Sequence, residues 1–335
     1  MKNALISILI PFKNTSKFIG ECIESILNQN YQNWELIMVD DHSSDGSYQI
    51  VSSYAQNDER IELLKNKGSG IIPALQTAYS KSRGQFITRM DSDDRMHSRK
   101  LELMFKDLQQ YGKGHVALGQ VSYFNENGLG KGYLAYEKWL NKLTKNGTNY
   151  SEIYKECVIP SPCWMLNRDD FDTCGAFQSL TYPEDYDLTF RLYKNRIKCI
   201  PSEHVLHFWR DHGNRASRTD ENYSDNSFIE LKVSCFLKLD YHKWRPTVIW
   251  GAGQKGKKIA RLLKQQGIDF KWVCNNPKKI GKHIYNIELK SFQAIKSFEQ
   301  PQIIIAVANP KDQQEILCFL DELKMKRMQD YFFFC

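Results

Sequence analysis

Residues 90–94, MDSDD, place three carboxylates within four positions at the end of the apolar run QFITRMDSDD. Carboxylates this close repel, and each raises its neighbour's pKa unless something positive stands between them. A divalent cation such as Mg²⁺ or Mn²⁺ would serve, since hard cations take oxygen ligands and commonly pair one or two carboxylates with substrate phosphate oxygens. The bland alternative is that acidic residues after a strand cap the next turn. A second acidic pair, Glu184 and Asp185 in PEDYDLTFRLYKN, has the same two readings. Acids in the first turn of a helix are favoured by the macrodipole, and one of such a pair can also act as a general base. A third cluster is VDDHSSDGS, with Asp40 and Asp41, and a fourth is PFKN at residues 11–14.

The elements that must carry these residues alternate. ALISILIPF reads as a strand, and FIGECIESILNQ places Phe18, Ile19, Cys22, Ile23 and Ile26 at helical spacing. WELIMVDD is a second strand, and HSSDGS opens a helix through Tyr54 with Ser44 or Asp45 as N-cap. RIELLKN, GIIPALQTAYSKS and QFITRMD continue as strand, helix, strand. Such alternation predicts a parallel sheet covered on both faces, with ligands beyond the strands' carboxyl ends. PFKN, VDDHSSD and MDSDD all fall at such ends, so they describe one crevice. Further on, KLELMFKDLQQY predicts a helix, HVALGQVSYF a strand, and PSPCWMLNRDDF a strand entering a short helix. FNENGLGKGYLAYEKWLNKLTKNGTNYSEIY reads as a long polar stretch, and HFWRDHGNRASRTDENYSDN as a mobile loop.

The 335 residues exceed one ordinary core, which predicts two domains. No apolar run approaches the roughly 18–20 residues of a membrane span. The N-terminal MKNALISILIPFKN has too short an apolar run for a signal peptide and reads as a buried strand. Nine cysteines lack a CxxC pair or finger spacing, which fits a reducing cytoplasm and speaks against structural zinc. Residues 246–335 hold 15 Lys and Arg against 8 Asp and Glu, whereas the first 245 hold 31 of each. This basic tail suits a solvated surface, an acidic partner, a nucleotide or peripheral contact with an anionic membrane face. Aromatic residues do not interleave with the basic ones as in nucleic-acid binding, so no nucleic-acid partner is expected.

Taken in order, SILIPFKN, ELIMVDDHSSDGS, GIIPALQTAYSKSRGQFITRMDSDD and PEDYDLTFRL resemble the motifs of family 2 glycosyltransferases, over about residues 5–215. The resemblance implies a GT-A fold: an α/β domain over residues 1–240 with a mixed, mainly parallel sheet. It implies transfer of a sugar from a nucleotide-diphosphate sugar, a UDP-sugar foremost, to a hydroxyl of a saccharide acceptor that includes lipid-linked ones. In that family the first turn lies along the nucleotide, here Pro11, Phe12 and Asn14, and one of the paired aspartates Asp40 and Asp41 binds the base, Asp41 by preference. The DxD-type motif matches Asp91, Asp93 and Asp94, with Asp93 as ligand to Mn²⁺ or Mg²⁺ and Asp91 or Asp94 assisting at ribose or metal. Asp185, beside Glu184, corresponds to the general base of an inverting single displacement. Arg83 and Arg89 flank the nucleotide strand, where either can meet phosphate or pair at the surface. His207, Arg210 and His212 match a loop that closes over the diphosphate, and a histidine there, His207 first, can add a metal ligand. HFWRDH is not the QxxRW of processive members, so transfer of a single sugar is implied, in the cytoplasm or at the inner membrane face.

VIWGAGQKGKKIARLL carries Gly251, Gly253 and Gly256 after a strand and before a helix, a GxGxxG in the right context for a pyrophosphate. Residues 246–335 look like the small Rossmann-like module fused to some bacterial glycosyltransferases. FKWVCNNPKKIG ends its strand in Cys274, Asn275 and Asn276 where a ribose-binding acid is expected, so the module reads as a degenerate nucleotide-binding or docking domain. Two other functions compete with sugar transfer: a nucleotide-sugar oxidoreductase using this glycine turn, and a non-catalytic glycan-binding protein whose motifs are relics.

Overall fold

The apolar run SILIPF forms strand β1 (Ile6–Phe12), and all seven of its residues are buried. A strand so placed must have neighbours on both edges and covers on both faces, which is what an unbroken apolar run signals in a parallel sheet. The computed structural model, which describes residues 3–125, 128–213, 215 and 228–335, shows those neighbours. β1 pairs in parallel with β2 (Trp34–Asp40) and with β4 (Phe86–Arg89), and β3 (Ile61–Lys65) pairs in parallel with β2. Helices α1 (Ile19–Leu27), α2 (Ser47–Asn57) and α3 (Ile71–Lys81) make the crossovers. α1 buries Ile19, Cys22, Ile23 and Ile26, the face its spacing predicts. α2 starts at Ser47 with Gly46 in the cap position, and Asp45 stands one residue earlier, accepting the N–H groups of Ser47 and Ser16 at 2.9 and 3.0 Å.

The sheet continues through β6 (His115–Leu118), β8 (Trp164–Asn167) and β9 (Lys198–Cys199) in the order β3-β2-β1-β4-β8-β6-β9. β8 runs antiparallel to both β4 and β6, so the sheet is mixed and mainly parallel. HVALGQVSYF, predicted as one strand, is two strands of different sheets. β7 (Gln120–Phe124) leaves the large sheet at Gly119, where a Cβ would stand 2.6 Å from the Leu206 Cβ. β7 joins β5 (Arg95–Met96) and β10 (Val205–Arg210) in a three-stranded sheet with β10 at its centre. HFWR is therefore strand and not loop; the continuation over 216–227 lies outside the described residues. The polar stretch after β7 contains a 16-residue helix, α5 (Lys131–Asn146), which buries only Leu140, Leu143 and Thr144. α4 (Lys100–Tyr111), α6 (Arg168–Thr173) and α7 (Glu184–Lys194) complete this part of the chain.

Two compact units divide the chain: Met1–Tyr150 with Val158–Tyr223, and Ser151–Cys157 with Ser224–Cys335. In the second, strands Ile287–Ser291, Phe270–Cys274, Thr247–Trp250, Gln302–Ile305 and Tyr331–Phe333 lie side by side in that order, all parallel. Tyr154 of the short early segment stacks on Phe334 at 5.2 Å and meets Phe236 edge-on at 5.8 Å, which ties the heptapeptide to this unit. Among the described residues no helix is long and apolar enough to cross a membrane.

The glycine turn after Thr247–Trp250 is set by packing. Gly251 has φ +118°, and a Cβ on Gly256 would lie 2.1 Å from the Gly251 carbonyl oxygen. Gly253 has φ −83° and nothing within 4 Å of where its Cβ would be. Gly256→Ala is therefore expected to destabilise the protein by about 1–3 kcal/mol, the usual range for overpacking, while Gly253→Ala stays near wild type. Chemical denaturation of the two variants compares them, and equal stability would contradict the packing account.

Candidate functional site

β1 and β2 end in register, Phe12 opposite Asp40, and the chain leaves both with polar turns. Pro11 and Phe12 are buried, Phe12 within the hydrophobic core. Asn14 is exposed with φ +53°, a left-handed conformation that asparagine tolerates better than most residues. Its Oδ1 accepts the Ser44 N–H at 2.8 Å and its own N–H donates to Ser43 Oγ at 3.1 Å, which straps the first turn to the second. Asp40 Oδ1 accepts the Ser43 N–H at 3.1 Å. Asp41 is buried, and its carboxylate accepts from Asn66 Nδ2 at 2.6 Å and Gly70 N at 2.9 Å, with Lys13 Nζ 3.6 Å away. Asn66 and Lys13 escaped the sequence reading. Nothing local marks Asn66, because only the register that sets Asp40 opposite Lys65 brings the next residue of each strand end together.

β4 ends at Arg89, which is buried at 4 % side-chain exposure. Its Nη1 donates to Glu184 Oε1 at 2.8 Å and its Nη2 to Asp91 Oδ1 at 3.1 Å. Arg89 thus joins the DxD segment to the start of α7 and pairs with carboxylates. Burial works against its charge, but Asp91 and Glu184 outweigh burial and hold the guanidinium firmly protonated. Asp185 Oδ1 accepts the Tyr186 N–H at 2.8 Å. Burial first, then the neighbouring Glu184 charge, raise its pKa from 3.8 to about 7, against the pull of Arg89.

The three carboxylates of MDSDD have separate environments. Burial pushes Asp91 up, with Arg89 opposing and Asp93 adding. Asp93 is held below its ordinary value: burial raises it, but the hydrogen bond with His212 Nε2 at 2.8 Å and the Arg215 charge prevail. Asp94 is 1 % exposed and lies against His207 and the Arg210 backbone, so burial and the Asp93 charge push it well up. His207, expected as a metal ligand, is fully buried in β10 and among the described residues hydrogen-bonds through its ring to Asp94 only; burial keeps it neutral. Beneath the turn, fully buried Lys100 donates to the Pro162 carbonyl and contributes positive charge near Asp94 and Asp91. Lys100 had a sign in sequence, a lysine on the apolar face of KLELMF.

Among the described residues no three His, Cys, Asp or Glu side chains converge to hold an ion alone. Asp91 and Asp93 still suit a hard cation, which needs only one or two carboxylates when phosphate supplies the rest. Each has one carboxylate oxygen engaged by a neighbour, Asp91 Oδ1 by Arg89 and Asp93 Oδ2 by His212.

Arg83 is not brought to this crevice. It precedes β4, and its Nε donates to Glu35 Oε2 at 3.0 Å, where Glu35 also accepts from Ser7 Oγ at the opening of β1. Phosphate at the carboxyl ends is out of its reach because a strand separates the two ends. Gly251, Gly253 and Gly256 belong to the other compact unit.

The glycosyl transferase family 2 profile matches residues 7–175. Glycosyltransferase GlyG of Streptococcus pneumoniae is 37 % identical over 125 residues, 37 % of this chain and 41 % of GlyG. The chain thus matches less than half of that relative's length. UDP-Glc:alpha-D-GlcNAc-diphosphoundecaprenol beta-1,3-glucosyltransferase WfgD of Escherichia coli is 29 % identical over 236 residues, 69 % of this chain and 84 % of WfgD. The crystal structure of S. aureus TarS 1-349 with UDP-GlcNAc superposes with a TM-score of 0.55 at 19 % identity, covering 78 % of this chain and 72 % of TarS, and shows the GT-A fold to be shared. PFKN, VDD and MDSDD all lie inside the matched stretch, which takes in half of the sequence, and the chain belongs to glycosyl transferase family 2.

Proposed function

We propose that the chain transfers a sugar, with inversion, from a nucleotide-diphosphate sugar to a hydroxyl of a saccharide acceptor, aided by Mn²⁺ or Mg²⁺, with Asp185 as general base. The observation that carries this is the Arg89 bridge, 3.1 Å from Asp91 and 2.8 Å from Glu184. It sets a carboxylate suited to a base beside carboxylates suited to a phosphate-bound cation. A cation held by Asp93 with Asp91 supplies neutralisation of the charge that develops on a diphosphate leaving group. Asp185 takes the acceptor proton as the hydroxyl attacks. With a pKa near 7 it is basic enough to accept that proton and acidic enough to be ionised in neutral solution. Glu184 holds the first turn of α7 against Arg89 and so fixes where Asp185 stands.

A uridine diphosphate donor is supported by the names of WfgD and of the TarS complex, and in this reading the strand-end turns at Asn14 and Asp41 line its base and ribose. WfgD is named for a diphosphoundecaprenol acceptor, which supports a lipid-linked saccharide here. The basic composition of residues 246–335 suits a peripheral position at an anionic membrane face. For the second unit a degenerate nucleotide-binding or docking role fits better than dehydrogenation, because the strand end offers Asn275, whose Oδ1 already accepts from Trp250 Nε1 at 2.6 Å.

Asp185 works as a base only when ionised, so the active fraction grows as pH rises through about 7. Below that value kcat/KM should fall about tenfold per pH unit, and above it the profile should be flat. Asp185→Asn should lose a factor of about 10²–10⁴ in kcat together with this limb. Turnover near wild type in that variant would remove Asp185 from the mechanism.

Asp93→Asn should behave differently. Calorimetric titration with UDP is expected to show binding strengthened by Mn²⁺ in the wild type and in Asp185→Asn. In Asp93→Asn the Mn²⁺ dependence should disappear; its survival would refute the assignment of the ligand.

A further inference from the structure

Asp94 is the member of MDSDD that faces away from the chemistry. Both of its oxygens are engaged from one strand, β10: Oδ2 shares a 2.9 Å hydrogen bond with His207 Nε2, and Oδ1 accepts the Arg210 N–H at 2.7 Å. The same strand also grips the preceding residue, since Arg210 Nε donates to the Asp93 carbonyl oxygen at 2.8 Å. The Arg210 guanidinium is itself held, with the Phe18 ring 4.8 Å away, the Phe124 ring 4.5 Å away, and Glu21 Oε2 2.7 Å from its Nη2. β10 does not drift, because it pairs with β5 through His207 opposite Met96 and with β7 through Phe208 opposite Ser122.

His207 is not explained as core filling. Its ring is wholly buried, and Nδ1 has no hydrogen-bond partner among the described residues. A polar atom buried without a partner is a penalty that an apolar ring of the same shape would avoid. What the imidazole gains in return is its one hydrogen bond among the described residues, the one with Asp94.

We propose that His207 and Arg210 are positioning residues for the transfer reaction, acting through Asp94. Together they pin the 91–94 turn so that the Asp93 carboxylate faces the donor's diphosphate and its cation. Asp94 is in this account the anchor of the turn and no ligand at all. The proposal rests on the reading of Asp93 as the cation ligand. Partners that orient a metal ligand commonly change metal affinity by about 10–100-fold when lost.

Two measurements on the full chain test it. Hydrogen–deuterium exchange on metal-free protein reads the turn directly. His207→Phe fills the same space without ring nitrogens and should speed exchange across residues 90–96. His207→Gln, whose amide reaches to where Nε2 stood, should restore protection. Mn²⁺ affinity, read from the paramagnetic resonance of free Mn²⁺, should weaken about 10–100-fold in His207→Phe and recover in His207→Gln. Combining His207→Phe with Asp93→Asn should give no weaker Mn²⁺ binding than Asp93→Asn alone, because His207, through Asp94, serves to present the Asp93 carboxylate. A general loss of structure would lower it further.

Unchanged exchange over 90–96 in a folded His207→Phe overturns the proposal, and so does wild-type Mn²⁺ affinity in that variant. If His207→Phe does not fold, Arg210→Lys keeps a charge between the two rings and loses the contact to Asp93, and the same two readouts apply. Should Asp93→Asn bind Mn²⁺ as well as the wild type, the cation reading of Asp93 falls. The exchange over 90–96 then judges the clamp alone.

Discussion

Arg89 sits at the last position of a central strand with Asp91 on one side of its guanidinium and Glu184 on the other. A buried charge is costly unless it is paired and hydrogen-bonded, and here the pairing draws on segments 95 residues apart. The start of α7 is therefore placed against the end of β4 by an electrostatic requirement as well as by packing. One guanidinium cannot compensate every acid nearby, and what is left over differs from residue to residue. Asp93 is stabilised as an anion by His212 and Arg215, whereas Asp185, beside the Glu184 that occupies Arg89, is pushed toward neutrality. Environments that drive neighbouring carboxyl groups apart are how acid and base roles are separated within one site.

The parts of the fold visible in sequence are those where one physical rule acts alone. β1 and β2 are continuous apolar runs because both faces are covered, and α1 shows its face because only that face is buried. β10 was hidden for the opposite reason: it buries His207 and Arg210, and polar residues read as loop unless their partners are known. Those partners, Asp93 and Asp94, lie more than a hundred positions earlier in the chain. α5 was hidden because its buried positions are so few that polarity swamps the period.

Site residues were legible as clusters but not one by one. Arg83 and Arg89 flank the same apolar run, and nothing local separates them. The strand between them, four residues and roughly 13 Å at the usual rise, puts one at each end of the sheet and so gives them unrelated partners. Asp93 and Asp94 are adjacent, yet one meets His212 beside the crevice and the other is anchored inside. Which of two consecutive aspartates faces outward is decided by β10 and by His212 just after it, not by the spelling of the motif.

The glycine turn of the second unit makes the complementary point. Gly251 takes a left-handed φ and Gly256 lies against its carbonyl, so both are required by strand-to-helix packing whether or not anything binds. Only Gly253 is free of such a demand, and the strand end where a ribose-binding acid belongs has its Asn275 turned to Trp250. Two of the three glycines in GxGxxG therefore carry information about the fold and none about a ligand. In MDSDD the carboxylates divide as well: Asp94 has both oxygens engaged by β10, whereas Asp91 and Asp93 each have one oxygen engaged by a neighbouring side chain.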